Sequence, residues 1–366
     1  MAIAGALGAL SLAGCSLAGT DNAGADDADT SDEASATSGS AAGEVVLITH
    51  DSFSLPDEVI AEFTAQTGYT LRQQPSGDAG SMTNQLALTK GSPLGDAVFG
   101  IDTTFASRAF DEGILAPYTP TDPPDGVDEH TLDGELSEYL TPIDVGDVCV
   151  NIDTTWFADQ GLAEPETLED LTKPEYSGLM VTPGASTSSP GLAFLMATIA
   201  EFGEGETADE GWQGYWSDLV ANDVLVTAGW EDAYLVDFTA GGGSGERPIV
   251  VSYASSPPFT IPEDGTEPTT RALMDTCFNQ VEYAGVIEGA ANPEGGQAAV
   301  DFLLSDAVQA ALPESMFVFP VSEQVELPPQ WAEYAQVAED PYDLPAADIE
   351  ANRLDWTTQW ADIALR

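Results

Sequence analysis

The stretch GWEDAY, Gly229 to Tyr234, sets Trp230 and Tyr234 four residues apart with Glu231 and Asp232 between them. On a helix, positions i and i+4 share a face, so the two rings would lie one above the other. Such a pair is either core packing or the floor of a pocket for something flat and positively charged, which a ring quadrupole attracts. The same spacing turns Glu231 and Asp232 away from that face and towards solvent. Ser188, Ser189 and Gly191 open an apolar helical run after TPGAST. Hydroxyls and free amides at a helix start suit a phosphate or a hydroxyl group, as they suit an ordinary N-cap. His50, Asp51 and Ser52 follow the apolar run EVVLIT, and Asp102 ends DAVFGID. A carboxylate at either place could balance a cation, or simply be solvated.

These side chains need elements to hold them. EVVLITHDSF reads as a strand, LPDEVIAEFTAQTG as a helix stopping at Gly68, and YTLRQQP as a second strand. SMTNQLALTKG gives a second helix and DAVFGID a third strand. This alternation predicts a parallel α/β sheet with right-handed crossovers, whose ligands sit beyond the carboxyl ends of the strands. His50, Asp51, Ser52 and Asp102 therefore share one edge. LTPIDVGDVCVNID is a long extended stretch that crosses to a second lobe. There SSPGLAFLMATIAEFG, GWQGYWSDLVAND, VLVTAG, WEDAYLVDFTAG and RPIVVSYASSPPF repeat the α/β logic. CFNQVEYAGVI is a second extended crossing, PEGGQAAVDFLLSDAVQAALPES a long helix, and the tail from Trp331 is helical. The expected fold is α/β: a clamshell of two lobes, one formed by 44–143 with 283–366 and the other by 144–282. Two crossings allow a hinge.

The first 14 residues, MAIAGALGALSLAG, form an apolar run too short to span a membrane and suited to a signal peptide. Leu12-Ala13-Gly14-Cys15 looks like a bacterial lipobox, in which Cys15 carries lipid. No basic residue precedes the run, which suggests a true start upstream of Met1. Residues 15–43 are a low-complexity acidic tether. Cys149 and Cys277 remain, an even pair that in an exported protein reads as a disulfide, with two buried thiols as the other possibility. There are 63 Asp and Glu against 8 Lys and Arg, a formal charge of −55. Such a surface repels nucleic acid and anionic lipid, and it suits a saline medium that screens self-repulsion. The 366 residues hold two histidines, His50 and His130, and no G-x-S-x-G, H-E-x-x-H or metal-spaced Cys/His pattern. These absences weigh against hydrolase and zinc chemistry. Carboxylate-only catalysis in a secreted hydrolase is the one enzymatic reading left open.

Six stretches, THDSF, DAVFGIDTT, TSSPGLAFL, TAGWEDAY, IVVSYASSP and ALPESMFVFPV, occur in the order and near the spacing found in the thiamine-binding proteins of bacterial thiamine ABC transporters. The chain resembles that family, within the type II periplasmic binding proteins, from about Val45 to its C-terminus. The resemblance implies a binding protein, not an enzyme, without a cofactor. It would be a monomer anchored outside the cytoplasm by lipid, closing on thiamine or its phosphates and delivering them to permease and ATPase subunits. It places Trp230, Tyr234, Tyr253, Phe259 and Phe317 at or near the cleft, with Phe317 where the family often has tryptophan and Phe259 where a tyrosine would add a hydroxyl. His50 replaces an aromatic hydroxyl expected before DSF. Within the same fold, a polyamine or a metal ion is the alternative ligand; ferric-binding relatives use adjacent tyrosines, and no Tyr-Tyr pair occurs here.

Overall fold

The computed structural model describes residues 43–207 and 210–365. The signal segment, almost all of the tether and Cys15 lie outside the described residues. Strand β1 (Gly43–Thr49) is buried on both faces from Leu47 to Thr49, which calls for helices above and below it. They are supplied by α1 (Asp57–Thr67) and α2 (Ala79–Thr89), which link β1 to β2 (Tyr69–Pro75) and β2 to β3 (Ala97–Asp102). Gly68 ends α1 at φ 78°, a left-handed turn that lets its N–H reach the Thr64 carbonyl. β1 pairs in parallel with β2 on one side and β3 on the other. The chain therefore reverses direction across the sheet at β1, and the gap beyond the ends of β1 and β3 is a topological switch point.

The remainder of this half is α3 (Ala106–Asp111), β4 (Leu115–Ala116) and β5 (Thr141–Val145). The chain then crosses to β6 (Val148–Asp153), α4 (Thr154–Gln160), β7 (Met180–Pro183), α5 (Ser189–Phe202), α6 (Gly211–Ala221), β8 (Leu225–Thr227), β9 (Ile249–Tyr253) and β10 (Thr270–Phe278). It returns through β11 (Val281–Ile287), α7 (Pro293–Leu303), α8 (Asp306–Met316), β12 (Phe319–Pro320), α9 (Pro329–Tyr334) and α10 (Ala346–Ala364). Two sheets result: one of seven strands, ordered β12-β5-β11-β3-β1-β2 with β4 on β11, and one of five, ordered β10-β6-β9-β7-β8. This is the two-lobed α/β clamshell the alternation predicts.

Three expectations about helices are corrected. The long helix from Pro293 is two helices, because the Ser305 hydroxyl caps the start of α8 by accepting from the Val308 N–H. GWEDAY turns helical at Trp230 and Glu231 but does not continue as an α-helix; Asp232–Asp237 is a turn of π-helix. The C-terminal helix, expected with the first lobe, packs chiefly on α6: Trp360 meets Trp216 edge-on at 5.5 Å and the Trp356 indole donates to Glu204. It also reaches the first lobe, where the Arg353 guanidinium lies 5.5 Å over the Phe105 ring.

The crossings are short and laced together. The Gly146 N–H donates to the Gln280 carbonyl at 2.9 Å, and the Asn279 amide donates to Asp147 at 3.1 Å. Cys149 and Cys277 are disulfide-bonded just on the second-lobe side of these two crossings, with Cα atoms 4.1 Å apart. Because β5 runs to Val145 and β11 begins at Val281, Asp144 and Glu282 belong to the first sheet, not the second lobe where the sequence reading put 144–282.

Candidate functional site

Between the sheets lies a cleft made of three cavities of about 200, 30 and 160 Å³, all lined in part by Ser52 and Trp230. The outer one adds Asp51, Gly77, Asp78, Ser81, Glu231 and Asp232. The innermost adds His50, Asp78, Ser189, Tyr253, Glu282 and Met316. The third adds Glu231, Leu235, Met316 and Phe317. Another surface cavity, about 650 Å³ and lined by Asp122, Asp125, Asp301 and Asp306, lies apart and has no aromatic wall.

The second lobe supplies the aromatic wall. Trp230 and Tyr234 stack at 5.0 Å with planes 15° apart. Tyr253, at the end of β9, stands 6.2 Å from Trp230, and Phe317 meets its edge at 5.7 Å. The Trp230 indole N–H is held inward by the Ser252 hydroxyl at 3.0 Å, which leaves the ring face for the cleft. Phe317 sits at φ 63°, an uncommon conformation for a bulky residue, and the Ser255 hydroxyl bonds its carbonyl. Its ring centroid lies 3.5 Å from that of Phe259. Phe259 itself is not among the cavity-lining residues; it backs Phe317 from the outside. Tyr234 lines none of them either and supports Trp230 from beneath, its hydroxyl without a partner among the described residues and pushed up by burial.

The first lobe supplies acids. Asp51 lines the outer cavity, with one carboxylate oxygen taking the Gly77 N–H at 2.9 Å. Glu231 and Asp232 are exposed as the helical spacing requires, yet they line that cavity too, so solvation is not their whole setting. The carboxyl of Glu231 is pushed up by burial and then by Asp51, Asp232 and Asp78. Asp78, absent from the sequence reading, caps α2 and joins the lobes. It accepts from the Ala79 N–H at 2.7 Å on its own lobe, and from the N–H of Ser189 at 3.1 Å and of Trp230 at 2.9 Å on the other. The start of α5 is thus filled by a carboxylate. Ser188 caps the helix as expected, accepting from the Gly191 N–H at 3.4 Å. Gly191 does not reach the cleft; a Cβ there would meet the Pro183 carbonyl at 2.5 Å. The Ser189 hydroxyl bonds Asp102 across the lobes.

Beneath the aromatic wall three carboxyls stand abreast. Glu282 on β11 pairs in register with Asp102 on β3 and with Asp144 on β5. All three are buried, and among the described residues no Lys or Arg lines the cleft. Burial pushes Asp102 up to about 7 and Asp144 up to about 8, and Glu282 well above the carboxylate range, with its two neighbours adding to the effect. His50 packs on Gly100, where a Cβ would come within 2.4 Å of the imidazole. Burial lowers it to about 4, so its ring is neutral and makes no ion pair with Glu282, 3.6 Å away. Glu282 and Asp144 also escaped the sequence reading, though each left a signal: an acid inside an apolar strand, VEYAGVI and TPIDV.

A two-sheet clamshell with an aromatic and acidic cleft at its hinge is built to enclose a solute. The family model for bacterial extracellular solute-binding proteins matches residues 58–339. The chain belongs to that family. It is 25% identical to the thiamine-binding periplasmic protein of Escherichia coli K12, over 86% of this chain and 92% of that one. A protein of the same name from Brucella abortus is 25% identical over 89% and 93%. Among solved structures, a periplasmic thiamin-binding protein superposes with a TM-score of 0.75 at 26% identity, covering 88% of this chain and 96% of the other. This solute-binding protein works outside the cytoplasm, and its relatives are binding proteins, not enzymes.

Proposed function

We propose that this solute-binding protein captures thiamine between its lobes and delivers it to an ABC importer, from a membrane anchor on Cys15. The observation that carries the reading is a Trp230–Tyr253–Phe317 wall facing an acidic cleft that no Lys or Arg lines among the described residues. Thiamine makes matching demands. Its aminopyrimidine wants a ring face, and its thiazolium is a permanent cation worth roughly 0.5–2 kcal/mol against an aromatic face and more beside a carboxylate. The names of the relatives point the same way. On this reading residues from both sheets act as one monomeric trap hinged at Gly146–Asp147 and Asn279–Gln280.

Thiamine itself suits the cleft better than its phosphates. The amide that would have seated a phosphate, Ser189 N–H, is taken by Asp78, and Asp51, Glu231 and Asp232 crowd the mouth. A polyamine is the second reading, favoured by those same mouth acids. Among the described residues no grouping of three His, Cys, Asp or Glu suits a metal ion. Native mass spectrometry of the protein as purified, followed by thermal-shift competition among thiamine, its diphosphate and spermidine, tests the proposal. Thiamine should give the largest stabilisation. A larger shift with spermidine would replace the reading.

A further inference from the structure

Glu282 and Asp144 pose a problem that ligand stacking alone does not answer. They stand in register on neighbouring strands, both buried, with no cation beside them. Both Asp144 oxygens lack any hydrogen-bond partner among the described residues, as do the His50 Nε2 and the Gln280 side-chain nitrogen. Burying acids without a cation is costly, and keeping them there makes sense where a cation comes and goes. Of the row, Glu282 reaches the innermost cavity, opposite Trp230 and Tyr253.

We propose that Glu282 is an exchangeable counter-ion that discriminates for permanent cations: flanked by the buried carboxyls of Asp144 and Asp102, it keeps its proton in the empty cleft and releases it to solvent when the cationic ring enters. The inference rests on the cleft being a thiamine site. The step balances. A neutral carboxylic acid and a monocation become a carboxylate–cation pair and one free proton, so the charge buried in the cleft is unchanged. A neutral isostere of the ligand would displace nothing. A phosphorylated one would bring charge that the row cannot offset.

The other groups facing Glu282 fit this role. His50, from the end of β1, is neutral above about pH 4 and so supplies no competing cation. Asp102 on β3 and Asp78 at the start of α2 hold the acid form in place by repulsion. Tyr253 on β9 is kept protonated by burial first and by Glu282 next. Arg353 on α10 senses both Asp102 and Arg108 on α3, but neither arginine lines the cleft.

Proton release makes affinity rise with pH by linkage. The test is calorimetric titration of thiamine into ligand-stripped protein at pH 7, in two buffers of low and high ionisation enthalpy, repeated from pH 6 to 8. Wild type should release about one proton per thiamine at pH 7 and gain up to about tenfold in affinity per pH unit below the value at which the row ionises. Glu282→Gln should lose the buffer dependence and flatten the pH profile, and Asp144→Asn should shrink both. Identical heats in both buffers with thiamine still binding would overturn the inference and leave the function standing. Proton release that persists in Glu282→Gln would overturn the assignment to Glu282. Thiamine failing to bind wild type at all would overturn the function and this inference together.

Discussion

Asp78 closes the clamshell, and its removal should open it. Replacing it by asparagine preserves the shape of the side chain and changes one acceptor oxygen into an NH₂ group. If the remaining carbonyl keeps the Ala79 and Ser189 N–H groups, the new amide faces the Trp230 N–H, now 2.9 Å from an acceptor, as donor against donor. The opposite rotamer rescues Trp230 and loses both others. A hydrogen bond to a charged group is worth about 1.5–3 kcal/mol, and here the loss falls on the closed state alone, because Asp78 belongs to the first lobe and Trp230 to the second. Less closed protein means a proportionally weaker apparent affinity. Asp78→Asn should therefore bind thiamine roughly ten- to a hundredfold more weakly while melting within a few degrees of wild type. One term opposes this: burial disfavours the Asp78 charge, and asparagine relieves that cost. Calorimetric affinity equal to or tighter than wild type would mean desolvation outweighs the cross-lobe bonds, and the latch would be refuted.

Trp230→Ala removes the ring common to all three cavities and should weaken thiamine binding at least about tenfold without unfolding the protein; unchanged affinity by calorimetry would reject the pocket. Glu282→Gln should change how stability varies with pH. The folded state keeps a proton on Glu282 that the unfolded chain loses above its ordinary carboxylate value, so in wild type this group subtracts up to about 1.4 kcal/mol of stability per pH unit as pH rises towards the raised folded value. The variant should thus gain on wild type from pH 5 to 8 in melting experiments at fixed salt, and a pH-independent difference would contradict the burial of an acid there. Removing the disulfide with Cys149→Ala and Cys277→Ala opens a loop of 128 residues and should cost about 5 kcal/mol in the chain-entropy account. Matching denaturant midpoints for the two proteins would argue against a formed bridge.

Much of the fold was legible because its signals are local. Apolar runs ending in polar residues marked β1 and β3, a glycine marked the end of α1, and the order of elements implied one sheet edge shared by His50, Asp51, Ser52 and Asp102. The aromatic wall was legible in part through resemblance: Trp230 and Tyr253 line the cleft, whereas Phe259 and Tyr234 stand behind it, a distinction set by tertiary packing that spacing does not encode. Gly191 was placed in the site because it begins a helix, yet close backbone approach accounts for it. What escaped was register. Asp102, Glu282 and Asp144 are separated by up to 180 positions and become neighbours only when β11 inserts between β3 and β5. Asp78 was hidden by a boundary: the helix was read from Ser81, two residues late, so its capping acid passed as loop.

The central claim is that the cleft takes thiamine. The most direct measurement is titration of refolded, ligand-free protein with thiamine by calorimetry, with tryptophan fluorescence read in parallel. One molecule should bind per chain, with saturation and a change in Trp230 emission that is lost in Trp230→Ala. Absence of saturable thiamine binding by a protein that remains folded would contradict the account.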